Sequence, residues 1–233
     1  MSEPRQKDVA PEGAENVAWI RPAQQKRSQR VLDSVLDAAL RLANDRAFDE
    51  IPVVEICETA GCSVPAFYRR FADKEALLHA LHTRHISEAI STSEKVFDPD
   101  RWVGASLAEI LAALIDLVVR ANSRSSGLRI TAARRAVDDE RFAERIRASR
   151  LAVYEGLRGL LVARHAEFSH DDPDLATRFL VRMTFGVLTR HFEGATVAEQ
   201  VHPLTHDELI EELTRAALAY LGVGLGVGLG VGR

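Results

Sequence analysis

Apolar residues recur at spacings of three and four along most of the chain, which predicts helices with one buried face each and leaves no run of strand alternation before the C-terminal tail. From Ser28 to about Arg46 the stripe is Leu32, Val35, Leu36, Ala39, Leu40 and Ala43, and Phe48 falls in the loop behind it. Val54, Ile56, Cys57 and Ala60 mark the inner side of a short second helix, with Glu55 and Glu58 toward water. Gly61 stops that helix, because a glycine just past the last periodic residue takes the left-handed conformation cheaply. Ser63 can accept from the free N–H groups of a third helix, where Pro65 sits harmlessly in the first turn. In that helix Phe67 and Phe71 stand one turn apart as a buried pair, which turns Val64, Pro65, Tyr68 and Arg69 outward and puts Arg70 at the border.

Asp73 caps a fourth helix reaching about Ser93, with Leu77, Leu78, Leu81 and Ile86 on its apolar side. Further helices are expected from Ser106 to Asn122, from Leu128 to Val137 and from Asp139 to His165. Two more run from Asp171-Asp172-Pro173 to Glu193 and from Thr205 to Leu221, where Glu208 completes a capping box. Gly186 inside the penultimate helix suggests the close approach of another helix. The expected fold is all-α: a three-helix N-terminal domain at 26–74, a larger helical domain at 75–221, a flexible arm at 1–25 and a glycine-rich tail at 222–233. Phe179, Leu180, Met183, Val187 and Leu188, with Leu209, Leu213, Ala216, Ala217 and Tyr220, are expected to form a four-helix bundle across a two-fold axis.

Two short helices around a glycine turn make a helix-turn-helix, a geometry that can lay its second helix in a DNA major groove. Lys74 stands in a first helical turn, where the helix dipole disfavours a cation, and this points to an external anion. A groove-bound third helix would let Tyr68 and Lys74 hold phosphates on its flanks. The basic residues Arg21, Lys26, Arg27 and Arg30, before or inside the first helix, fit an arm reaching the adjacent minor groove, or a solvated tail.

Gly61-Cys62-Ser63, then Phe67-Tyr68-x-x-Phe71 and Lys74-Glu75-x-Leu77-Leu78, resembles the DNA-binding domain of tetracycline-repressor (TetR) family regulators over roughly residues 28 to 80. The resemblance implies that Ser63, Val64, Pro65, Ala66 and Tyr68 lie nearest double-stranded DNA with Lys74 on a phosphate. It also implies a homodimer whose C-terminal domain binds a small-molecule effector that changes the spacing of the two reading heads. Two departures matter. Pro52 stands where a threonine is common in the family, so a capping hydroxyl is missing. Val64, Pro65 and Ala66 bring no hydrogen-bonding side chain to base edges, so recognition falls to thymine methyl groups, Arg69 or Arg70, and DNA shape.

Composition narrows the alternatives. The chain has 233 residues, 46% hydrophobic content and a net charge of −4, so attraction to DNA must come from local charge rather than the whole. No apolar run approaches the ~20 residues that span a bilayer, and no signal-peptide core is visible, so the expected location is the cytoplasm. Cys57 and Cys62 stand where small apolar residues suit the fold, and a thiol switch is the other reading. His79, His82 and His85 at spacing three, and His170 beside Asp171, Asp172 and Asp174, are the metal-like groupings; exposed or core histidines and an acidic helix start are the plainer account of them, and no cofactor is expected. No phosphate loop or catalytic triad signature appears, which disfavours an enzyme, although a helical enzyme or carrier with a structural helix-turn-helix is the rival reading. An effector pocket is expected from His85, Ile115, Val118, Arg134, Tyr154 and Met183, polar tips among apolar helices of the C-terminal domain. The integrated expectation is a regulator, most often a repressor, released from a palindromic operator by its effector.

Overall fold

The computed structural model describes residues 26–44, 46–193 and 203–224. The expectations for the N-terminal arm and for the tail beyond Gly224 lie outside the described residues. Nine α-helices are present among the described residues: α1 Lys26–Leu42, α2 Val53–Ala60, α3 Val64–Arg70, α4 Lys74–Val96, α5 Leu107–Ser123, α6 Ser126–Arg135, α7 Glu140–Ala163, α8 Pro173–Glu193 and α9 His206–Leu221. Three short 3-10 turns, Phe48–Glu50, Pro99–Trp102 and His165–Glu167, join some of them, and no strand is found among the described residues.

Local capping sets most of these boundaries. Asp73 Oδ1 accepts from the Ala76 N–H at 2.7 Å and starts α4. Ser106 with Glu109 and Thr205 with Glu208 form reciprocal capping boxes at α5 and α9. Gly61 (φ 67°) and Gly222 (φ 65°) end α2 and α9 in the left-handed conformation, where a Cβ is costly.

Two apolar cores hold the chain. One joins α1 to α4 around Phe48, Ile51, Ile56, Phe67, Phe71, Leu77, Leu78 and Leu81, and it also takes in Leu128 and Ala132 of α6 and Phe142 of α7. The other lies in the helices from α5 to α9, around Leu107, Leu111, Val119, Leu161, Leu180, Leu188, Leu209 and Leu213. The N-terminal core therefore crosses the expected boundary near residue 75.

Three expectations change. Val54 is 54% exposed, because the inward position at the start of α2 falls to the partly buried Val53. Leu180, Leu188, Leu209, Leu213 and Ala217, assigned to a two-fold interface, are buried inside this chain, where α9 packs on α5. A Cβ added at Gly186 would meet nothing within 4 Å, so no close approach within the chain explains that glycine.

Candidate nucleic-acid interface and effector cavity

The turn between α2 and α3 is closed by backbone bonds from Gly61 N–H to Glu58 O at 3.2 Å and from Cys62 N–H to Cys57 O at 2.9 Å. Ser63 Oγ then accepts from the Ala66 N–H at 3.3 Å, and Pro52 caps α2 without any side-chain bond. Phe67 and Phe71 are fully buried with ring centroids 5.2 Å apart, and they anchor α3 in the apolar core it shares with α1, α2 and α4. Burial, with Cys62 beside it, pushes the Cys57 thiol up to about 12, which keeps Cys57 protonated at neutral pH.

The other flank of α3 faces solvent. Ser63, Pro65, Tyr68 and Arg69 are exposed, Val64 and Ala66 are half-buried, and Arg30 is exposed on α1. Arg70 departs from the expectation. It is only 6% exposed and lies close enough to Asp33 of α1 to feel its charge, because its position brings it to the α1 side of the helix rather than the groove side. Lys74 is half-buried; its Nζ donates to Asp49 O at 2.8 Å and stands 5.1 Å from the centre of the Phe48 ring. The cation in that first turn thus has an internal acceptor, which the helix dipole alone did not reveal.

Behind the head lies a cavity of about 570 Å3 between α4, α5, α6, α7 and α8. His85, Ile115 and Val118 line it as expected. Arg134, Tyr154 and Met183 are not among its lining residues: Arg134 is exposed at the end of α6, and Met183 packs on the apolar core. Sequence reasoning missed Arg129, Arg150, Asn122, Ser125 and Thr184, which do line it. The long helices α7 and α8 offer no clean single face, and a wall assembled from five elements has no sequence period to betray it.

His82 also lines the cavity and belongs to a cluster joining α4 to α7. Arg145 Nε donates to His82 Nδ1 at 3.0 Å, and Arg145 Nη2 stands 3.1 Å from His79 Nδ1. A guanidinium only donates, so His82 Nδ1 is an acceptor; His79 meets an arginine at each ring nitrogen, Arg145 at Nδ1 and Arg141 Nη2 at 3.3 Å from Nε2, and Asp139 Oδ2 lies 3.2 Å from the same Nε2. Burial, then the charge of Arg145, holds His82 down to about 3; burial, then Arg141 and Arg145, also lowers His79. These are neutral core histidines, and among the described residues no group of three His, Cys, Asp or Glu is placed to hold a metal ion. Among the described residues no helix is long and apolar enough to cross a membrane.

Comparison with known proteins places this geometry. The description "Bacterial regulatory proteins, tetR family" matches residues 35–81, and "Tetracyclin repressor-like, C-terminal domain" matches residues 106–221. Over 83 residues the chain is 28% identical to the HTH-type transcriptional repressor ComR of Escherichia coli K12. That match covers 35% of this chain and 40% of ComR, so it spans less than half of the curated relative. Among solved structures, a putative TetR-family regulator from Mesorhizobium loti superimposes with a TM-score of 0.64 at 20% identity, covering 85% of this chain and all of that one. GusR of Salmonella enterica gives 0.57 at 22% identity, over 82% of this chain and 95% of that one. The reduced form of Escherichia coli NemR gives 0.61 at 16% identity, over 83% and 98%. At such identities the structural likeness is one of fold, and the two matched sequence regions carry the assignment: the chain belongs to the TetR family of DNA-binding transcriptional regulators.

Proposed function

We propose that the chain acts in the cytoplasm as a homodimeric, ligand-responsive regulator, a repressor, that binds a palindromic operator through two copies of α3 and leaves it when an effector fills the cavity behind α4. One observation carries this reading: α3 is pinned from behind by Phe67 and Phe71, both fully buried, while Pro65, Tyr68 and Arg69 on its opposite flank face solvent. A rigid helix with a free polar and methyl-bearing flank suits major-groove docking. Ser63, Val64, Pro65 and Ala66 would approach base edges, Tyr68, Arg69 and Arg30 the backbone. An ammonium has three donors, so the single bond from Lys74 to Asp49 O leaves two for a phosphate.

The partner face is proposed on α7 and α8 rather than α8 and α9. Leu151 and Val162 of α7 and Leu175, Phe179 and Val187 of α8 are 38–58% exposed, and these two helices pack side by side. A two-fold contact there would cover them, and the exposed Gly186 would let helices approach closely.

The test is a mobility shift on sheared genomic DNA, followed by footprinting of a selected fragment. Tyr68→Ala is expected to leave the fold intact and to weaken binding to all sequences by about tenfold or more, the scale of one lost hydrogen bond to a charged group. Lys74→Ala should make the dependence on salt shallower. A wild-type chain that forms no salt-sensitive, sequence-selective complex would instead be a carrier or enzyme with a structural helix-turn-helix.

A further inference from the structure

The end of α2 brings the only two cysteines of the chain together. Gly61 in the left-handed conformation, with the bonds from Gly61 N–H to Glu58 O and from Cys62 N–H to Cys57 O, closes α2 as a Schellman motif. In that motif the residue after the glycine folds back on the last turn of the helix, and the side chains at its two ends commonly touch. Here both ends carry a thiol. Cys57 is buried in the core of the head, Cys62 is half-buried and packs on that core, and the two side chains are within hydrogen-bonding reach.

The two thiols are not equivalent. Cys62 is partly open to a small reagent, whereas Cys57 is 2% exposed and keeps its proton. Burial is the first cause of that protonation, and the charge of Cys62 is the second. Oxidation of Cys62 to an uncharged sulfenic acid would remove the second cause and present Cys57 with an electrophilic sulfur. Position thus sets an order, with Cys62 attacked first and Cys57 resolving it.

We propose that Cys57 and Cys62 are an oxidation site for hydroperoxides, closing to an intramolecular disulfide that draws the start of α3 out of its DNA-reading position. The second half of this rests on the role proposed for α3. In the first step the Cys62 thiolate sulfur attacks one oxygen of hydrogen peroxide, the O–O bond breaks, and hydroxide leaves to become water. In the second, Cys57 Sγ attacks Cys62 Sγ, the S–O bond breaks, and the Cys57 proton goes to the departing hydroxide as a second water. The two sulfurs together lose two electrons, and the two peroxide oxygens gain them. A disulfide holds its sulfurs at about 2.05 Å, well inside the separation of hydrogen-bonded thiols, so closure pulls Cys62 toward α2. Ser63, the cap of α3, is the next residue and must follow. In a cytoplasmic setting the thiol pool returns such a bond to the reduced state, which suits a transient signal.

The experiment treats the reduced full chain with a small excess of hydrogen peroxide and reads its intact mass after the remaining thiols are alkylated. The expected product is a monomeric chain two hydrogen atoms lighter, with no alkylated cysteine, and dithiothreitol restores both sites. Cys57→Ala should leave Cys62 trappable by dimedone as a sulfenic acid, whereas Cys62→Ala should give no adduct at Cys57. Two thiols still free after treatment, a chain-to-chain disulfide on non-reducing electrophoresis, or a gain of two or more oxygens overturns the site. A dimedone adduct at Cys57 in Cys62→Ala overturns the order of attack. Serine variants carry the same test if an alanine variant is not folded by circular dichroism. DNA binding is followed by anisotropy on a selected fragment: oxidation should lower the affinity on the order of tenfold or more, reversibly, and leave both alanine variants unaffected. A disulfide that forms with affinity unchanged, or only with loss of helix content, overturns the displacement of α3. A reduced chain that binds no DNA removes the proposed function instead, and leaves the mass test of the thiol pair standing.

Discussion

In the reading head, Phe48, Phe67 and Phe71 are at most 1% exposed and fill the space between four closely packed helices, whereas in the domain behind it α4, α5, α7 and α8 stand around a cavity of about 570 Å3. The difference fits the roles proposed for the two regions. A helix that reads a groove has to be presented at one angle, and close packing around aromatic anchors fixes that angle. A domain that admits a ligand needs room and a wall that can shift, and both come at the expense of packing contacts. The two regions are nonetheless one piece at the seam, since Leu128, Ala132 and Phe142 complete the head's own core. A movement of α6 or α7 therefore reaches the head directly.

The largest expected effect separates the two kinds of packing. Phe67→Ala should cost about 3–5 kcal/mol in urea unfolding, because the fully enclosed ring leaves a void that its neighbours cannot close. Ile115→Ala borders the existing cavity and should fall at the low end of the aliphatic range, about 2 kcal/mol. Equal losses would mean that the cavity wall is as rigid as the head.

The seam gives the next effect. A Cβ at Gly127 would intrude on the carbonyl oxygens of Ala43 and Arg46, so Gly127→Ala should push α6 away from the end of α1 and cost about 1–3 kcal/mol. Gly159→Ala is the control, since a Cβ there meets nothing within 4 Å and alanine is the better helix former by up to about 1 kcal/mol. Unfolding curves that move in the same direction for both variants would remove the special role of the α1–α6 contact.

This contrast also explains how much was legible in the sequence. The head is written in local signals: Gly61 for the turn, Ser63 and Asp73 for the caps, and a pair of phenylalanines one turn apart, each of which acts within four residues of itself. Its errors are at edges, where one position decides facing, as with Val54 and Arg70. The cavity depends on which of five helices meet and at what angle, so residue type found His85, Ile115 and Val118 but equally pointed to Arg134, Tyr154 and Met183, which lie elsewhere. The apolar stripe of α9 was read correctly as buried, but its partner is α5 of the same chain and not a second copy, a distinction that periodicity does not carry.

The α4–α7 contact sharpens the comparison through pH. His82 is held at about 3 in the folded chain, against 6.5 when unfolded, so below pH 6.5 the unfolded state takes up a proton that the folded state does not. Its contribution is therefore complete above about 6.5 and is lost as pH falls toward 3, at up to about 1.4 kcal/mol per pH unit. His79, lowered in the same direction, adds to this slope, whereas Asp139, held at about 2, enters only below about 3.8. His82→Gln keeps an acceptor for Arg145 but cannot titrate, so its stability should fall less steeply between pH 6.5 and 4.5 than that of the wild type. Parallel curves would mean that His82 is charged in the folded chain.

The smallest effect is expected at the outer rim of the seam. Arg135, at the end of α6, donates to Asp49 at 2.7 Å and to Glu75 at 3.1 Å, and Lys74 donates to the Asp49 carbonyl beside them. These side chains are about a third to two-fifths exposed, so water screens the pairs and a loss of at most about 1 kcal/mol is expected for Arg135→Ala. That loss should shrink further in 0.5 M salt, where the screening length is only a few ångströms, while the Gly127→Ala loss, which is steric, should not change. Measuring both variants at low and high salt therefore separates packing from charge at one contact. If the Arg135→Ala loss exceeds the Gly127→Ala loss and disappears with salt, ions rather than close packing hold α6 to the head, and the continuity of the two cores matters less to coupling than this exposed cluster.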